Sequence, residues 1–186
     1  MSKDVLISIK PKWSDKIASG EKTIEVRKTR PKIETPFKCY IYCTKPSYPH
    51  EDFIFTDGGE GEIKGFYGGG KVIGEFVCDA IFPMSFYASD VSFFDTEPPL
   101  YVPGTCLTDK EIAEYFGNGK TGYAWHISDL KIYDEPKRLS DFKPWNRKLE
   151  EAPCSHIPLA YPKCEDCHEC RVERPPQSWQ FVEELK

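Results

Sequence analysis

The stretch Gly20–Lys28, GEKTIEVRK, sets a lysine, a glutamate and an arginine on and beside a short apolar strand. Gly20 has the character of a helix stop, and from Thr23 onward the residues alternate. On a period of two, Ile24 and Val26 share one face while Thr23, Glu25 and Arg27 share the other, with Lys22 at the strand entrance. Such a trio can hold itself in register and still offer donors to an anionic or carbonyl-bearing ligand. The plainer expectation from spacing alone is a solvated strand face carrying ordinary ion pairs.

On the N-terminal side, Val5 to Ile9 reads as a strand, and Pro11 suits the start of a helix that runs to Ser19 with Trp13 and Ile17 on one face. On the C-terminal side, Pro31 and Pro36 mark a loop before a strand over Cys39 to Cys43. Seven glycines between Gly58 and Gly70 predict a long loop or a loosely paired hairpin across 45–70. They lack the GK[ST] ending of a phosphate loop. Val72 to Cys78 is the next strand and carries Glu75 among apolar neighbours, either solvated at a strand edge or facing a cleft. The segment from Phe82 to Gly104 is aromatic and irregular. Thr108 with Glu111 forms a capping box for a helix ending at Gly117. Tyr123 to Tyr133 is read as one long strand, and Trp179 to Val182 as the last element. Many short strands with few helices predict an α+β fold, a small and mostly antiparallel β-barrel flanked by helices.

The chain has 186 residues and a formal net charge of −5. That balance opposes nucleic acid binding, but its distribution does not. Residues 1–32 hold nine Lys and Arg against four acids, a local +5. A basic edge on an acidic body can bind a phosphate backbone. No apolar run approaches membrane-spanning length and the N-terminus lacks a long apolar segment, so a soluble cytoplasmic protein is expected.

Eight cysteines without a secretion signal fit reduced thiols and metal better than disulfides. Cys39, Cys43, Cys78 and Cys106 lie scattered in aromatic or β-branched segments, as small core residues do. Cys154, Cys164, Cys167 and Cys170 form C-x9-C-x2-C-x2-C, with His156 and His168 as spare ligands. Four thiolates suit a closed, structural zinc site. An iron–sulfur cluster or free thiols are the alternatives. The prolines around them leave this segment little core of its own, so a metal would order it.

The order strand, helix, GxKxxExR (Gly20, Lys22, Glu25, Arg27), barrel strand at Cys39 to Cys43 and a later VIGEF resembles an ASCH domain of the PUA-like superfamily. The opening resembles small bacterial and prophage ASCH proteins in particular. The resemblance covers roughly residues 4 to 142 and the final strand. It implies a PUA-like β-barrel over 1–150 and a strand over 175–186 that returns to the barrel; the cysteine spacing itself marks 151–174 as a cysteine-rich zinc-binding insertion between them. It also implies a cleft holding Lys22, Glu25 and Arg27 that faces RNA or a modified nucleoside. Some members are acetylcytidine amidohydrolases whose motif runs GxKTxTxR. Here the second threonine position is Glu25 and Thr23 directly follows the lysine, so Lys22 carries over and the working threonine does not.

Three functions are therefore set against one another. In the first, Lys22, Thr23, Glu25 and Arg27 bind RNA or a modified nucleotide, with Tyr40, Tyr123 or Trp125 available to stack a base. In the second, the protein is a hydrolase acting on acetylated cytidine or on RNA, with Lys22 as catalytic residue and Glu25 or Glu75 as acid or base. In the third, the zinc appendage is a protein-interaction module. Glu25 beside Lys22 is expected to raise the lysine pKa, which favours binding without appreciable hydrolysis.

Overall fold

Alternating apolar residues sort ten strands into a five-stranded sheet, a three-stranded sheet and a hairpin. The computed structural model describes residues 3–57, 63–85, 104–117, 120–145 and 171–185. The larger sheet combines β1 (Lys3–Ile9), β3 (Phe37–Cys43), β6 (Lys71–Cys78), β9 (Ser128–Arg138) and β10 (Trp179–Glu183) in the order β10-β1-β3-β6-β9. Only β1 and β3 run parallel within it; the other pairings are antiparallel. The smaller sheet has the order β2-β8-β7, from β2 (Ile24–Arg27), β8 (Thr121–His126) and β7 (Ile81–Ser85).

Each face of the larger sheet is covered. Val5, Ile7, Cys39, Ile41, Phe76 and Trp125 belong to one buried cluster, which lies between the sheets. Leu6, Tyr40, Tyr42, Val72, Phe142 and Val182 form another on the opposite face. This two-sided burial explains why β1 and β3 read as nearly continuous apolar runs. The mixed α+β character and the dominance of antiparallel strands are as expected, but the described residues do not close into a barrel. The sheets remain separate, and hydrogen bonding does not run round from one to the other.

Helix α1 (Pro11–Ala18) begins with proline, whose missing N–H costs nothing at that position, and Gly20 ends it at φ 75°. It supplies part of the crossover that parallel strands β1 and β3 require. Helix α2 (Asp109–Phe116) has the expected capping box: Thr108 N–H donates to Glu111 Oε2 at 2.8 Å and Glu111 N–H to Thr108 Oγ1 at 3.2 Å. The glycine-rich stretch does form a hairpin, pairing β4 (Phe53–Asp57) with β5 (Ile63–Tyr67).

The long strand expected over Tyr123 to Tyr133 is two strands in different sheets. After His126 the chain leaves β8, Ile127 N–H bonds to Thr23 O, and β9 starts in the larger sheet at Ser128, opposite Val77. Asp129, at φ 46°, follows where the register of β9 on β6 shifts, and aspartate tolerates that left-handed conformation better than most residues. No glycine or proline marks the switch. Cys39, Cys43 and Cys78 are buried, and burial pushes the last two thiols up to about 11 and about 12; Cys106 is only half-buried. No described helix is long and apolar enough to cross a membrane.

Candidate functional site

Strand β2 pairs with β8 so that Glu25 lies opposite Trp125 and Arg27 opposite Tyr123. Ile24 and Val26 pack with Met84, Ile112, Phe116 and Ala124 beneath α2. The alternation is therefore as the sequence indicates, but the charged face is not solvated. Lys22, Glu25 and Arg27 are only 2%, 6% and 6% exposed, because this face turns inward, toward the larger sheet.

Glu25 is the hinge of the trio. Its Oε2 lies 3.4 Å from Lys22 Nζ and its Oε1 lies 2.9 Å from Arg27 Nε. The second contact is an ion pair whose angle falls outside hydrogen-bond geometry, which leaves the Nε–H without a partner among the described residues. Arg27 Nη2 donates to Ser8 O in β1, and Nη1 lies 3.5 Å from Ser178 Oγ just before β10. Arg27 thus ties the two sheets together.

Lys22 Nζ donates to Ile24 O at 2.7 Å and Thr105 O at 2.6 Å, and it sits 5.5 Å from the ring centroid of Trp13. Two carbonyls and a carboxylate match the three N–H bonds of an ammonium. Burial nevertheless lowers the Lys22 pKa from its ordinary value, outweighing the opposing pull of Glu25, while Arg27 adds a smaller downward push. This corrects the expectation that Glu25 would leave the lysine pKa raised.

The cover over Lys22 is a strap running through Gly104, Thr105 and Cys106. Gly104 O accepts the N–H groups of Thr23 and Ile24 at 3.0 and 3.2 Å, and Cys106 Sγ donates to Glu21 O at 3.3 Å. Gly104 stands at φ 87°, and a Cβ there would come within 2.1 Å of Thr23 Oγ1. Only glycine allows this approach.

The other residues singled out from sequence do not join the trio. Tyr40 is fully buried on the opposite face of the larger sheet, with its hydroxyl 3.1 Å from Asp4 Oδ2 and its ring 4.9 Å from that of Phe142. Trp125 is fully buried against Phe37. Neither ring presents a face on which a base could stack. Glu75 lies opposite Tyr40 in the sheet and accepts the Tyr133 hydroxyl at 2.6 Å, so it shares the Tyr40 face rather than that of Lys22. Thr23 is exposed beside the strap. A cavity of about 460 Å³ lined by Tyr42, Lys45, Gly70 and Leu139, among others, also lies away from the trio.

Ser8, Thr105 and Ser178 complete the site and were not legible in the sequence. Two of them act through backbone carbonyls, which any residue type supplies. Among the described residues no three potential metal ligands come together. Cys154, Cys164, Cys167 and Cys170 lie outside the described residues.

No family model and no curated protein matches the sequence. The structure is similar to crystal structures of an ASCH protein from Zymomonas mobilis. A tyrosine-to-phenylalanine mutant superposes with a TM-score of 0.55 at 18% identity, covering 99% of this chain and 93% of that one. The unmutated form gives 0.54 at 18% identity, covering 97% and 88%. A serine-to-alanine mutant gives 0.51 at 19% identity, covering 98% and 89%. With nearly the whole of each chain aligned, the fold of this protein is the ASCH fold.

Proposed function

We propose that the protein binds RNA or a modified nucleotide beside the buried cluster of Lys22, Glu25 and Arg27. The observation that carries this reading is the burial of a lysine, a glutamate and an arginine in one cluster on an ASCH fold. Buried ion pairs add little to stability compared with apolar packing, and a buried lysine whose pKa is displaced beside a charge partner marks a functional-site candidate. Lys22 is held by Thr105 O and Arg27 by Ser8 O, so they are suited to positioning Glu25 rather than to gripping phosphate. Base edges, with donors and acceptors of their own, match such a site better than a bare anion does.

A second reading, hydrolysis of acetylated cytidine or of RNA, is favoured by the lowered Lys22 pKa, the direction that a lysine base or nucleophile needs. One substitution separates the two. Lys22→Arg keeps the charge but cannot deprotonate, so under the binding reading nucleotide affinity should stay within about tenfold of wild type, and the wild type should show no turnover. Hydrolysis of N4-acetylcytidine or of single-stranded RNA by the wild type, abolished in Lys22→Arg, would replace binding with catalysis.

For the cysteine-rich segment we propose a structural zinc ion held by Cys154, Cys164, Cys167 and Cys170. The support is the donor set: four soft thiolates fill a tetrahedral site and leave no position for a substrate. Metal analysis of the purified protein should find about one zinc per chain, and Cys167→Ser should release it while the sheets stay folded. Zinc-free protein whose four thiols react freely would remove this proposal. A role for the segment in contacting other proteins would depend on that ion.

A further inference from the structure

Immediately after the buried trio, the chain runs KTRPK from Lys28 to Lys32, and its cations face the solvent. The intervening residues are anchors. Thr29 Oγ1 accepts the indole N–H of Trp179 at 3.0 Å, and Pro31 is buried. Lys28, Arg30 and Lys32 are thereby presented from a fixed segment. Other cations are neutralised locally: Lys12 pairs with Glu111, Lys16 with Glu21, and Lys38 with Glu75 and Glu184. By contrast, no carboxylate of the described residues lies at ion-pair distance from Lys28, Arg30 or Lys32.

Aromatic rings border this arm. Lys28 Nζ lies 5.0 Å from the ring centroid of Tyr115, which is 39% exposed, and the Arg30 guanidinium lies 5.9 Å from that of Tyr123. Cations with no carboxylate partner among the described residues, interleaved with accessible rings, are the combination that holds a single strand, with phosphates on the charges and a base on the ring.

We propose that Lys28, Arg30 and Lys32 form a phosphate-contacting track for single-stranded nucleic acid, with Tyr115 as its stacking ring. The ligand is thus a strand that continues past the trio, not a free nucleoside. This rests on the nucleotide-binding reading of the trio for where the strand is headed. In the protein the arm follows directly from Arg27, so one strand can reach both.

The test is fluorescence anisotropy with a labelled single-stranded RNA oligonucleotide across a salt series, comparing wild type with a Lys28→Ala, Arg30→Ala, Lys32→Ala variant. Each phosphate contact contributes a slope of about −0.7 to log affinity against log salt for single strands. The variant should therefore bind with a slope shallower by about 2 and at least roughly tenfold more weakly at low salt. Tyr115→Ala should lower affinity roughly tenfold without changing the slope. Lys32→Glu, which touches no described carboxylate, reads the same effect if the triple variant unfolds. Unchanged slope and affinity would overturn the track, as would equal affinity for polyglutamate of matched charge or for a free nucleoside. RNA binding weakened by the arm variant but untouched by Glu25→Gln would keep the track and sink the reading of the trio as a nucleotide site instead. Absence of any RNA binding would overturn both.

Discussion

Replacing Glu25 with alanine should destabilise the protein by about 3–5 kcal/mol, the penalty for leaving buried charge uncompensated. Two cations depend on this one carboxylate, Lys22 at 3.4 Å and Arg27 at 2.9 Å. Neither can swing out to water without giving up its backbone carbonyls, Thr105 O and Ile24 O for the lysine and Ser8 O for the arginine. Loss of the carboxylate also removes the interaction that opposes desolvation of Lys22, so the ammonium becomes harder still to keep charged. Urea unfolding would measure the effect, and Glu25→Gln, which keeps the shape, should be milder. A loss below about 1 kcal/mol for the alanine variant would mean that the trio behaves as a solvated surface pair.

Trp125→Ala should cost a comparable amount, about 3–5 kcal/mol, by removing a fully buried indole from the core. The ring meets Phe37 edge-on with centroids 5.9 Å apart and lies 6.3 Å from Trp179, so its loss opens a cavity where β8, β3 and β10 converge. For a domain of this size the melting temperature should fall by about 2–4 °C per kcal/mol. A base-stacking tryptophan would behave in the opposite way, losing RNA affinity while melting normally. Normal melting with lost affinity would place Trp125 in the site after all.

Local chemistry was well recorded in the sequence. The proline start and glycine stop of α1 and the capping box of α2 are each written within four residues, and each is found in place. The alternation across Ile24 to Arg27 was equally readable. What it could not convey was which face turns inward, because that depends on Ser8 and Ser178, far along the chain and carrying no signal of their own. For the same reason Tyr40 and Trp125 read as available rings: their burial is decided by Phe142, Phe37 and Trp179. The break between β8 and β9 falls at Ile127, an apolar residue with no glycine or proline beside it, so the pattern read straight through. The closed barrel failed because period-two patterns give strands and faces but say nothing about which edges meet.

The register of β10 on β1, from Lys3 against Glu183 to Ile7 against Trp179, has a consequence for how the chain is made. Strand β1 leaves the ribosome well before its antiparallel neighbour, with every other described strand made between them. Until Trp179 to Glu183 emerge, the nascent sheet carries an open edge along a strand with six consecutive buried residues, a template for unwanted pairing. The larger sheet therefore cannot be completed in the order its strands are made, and the clasp that Arg27 makes with Ser178 closes only once Ser178 has emerged.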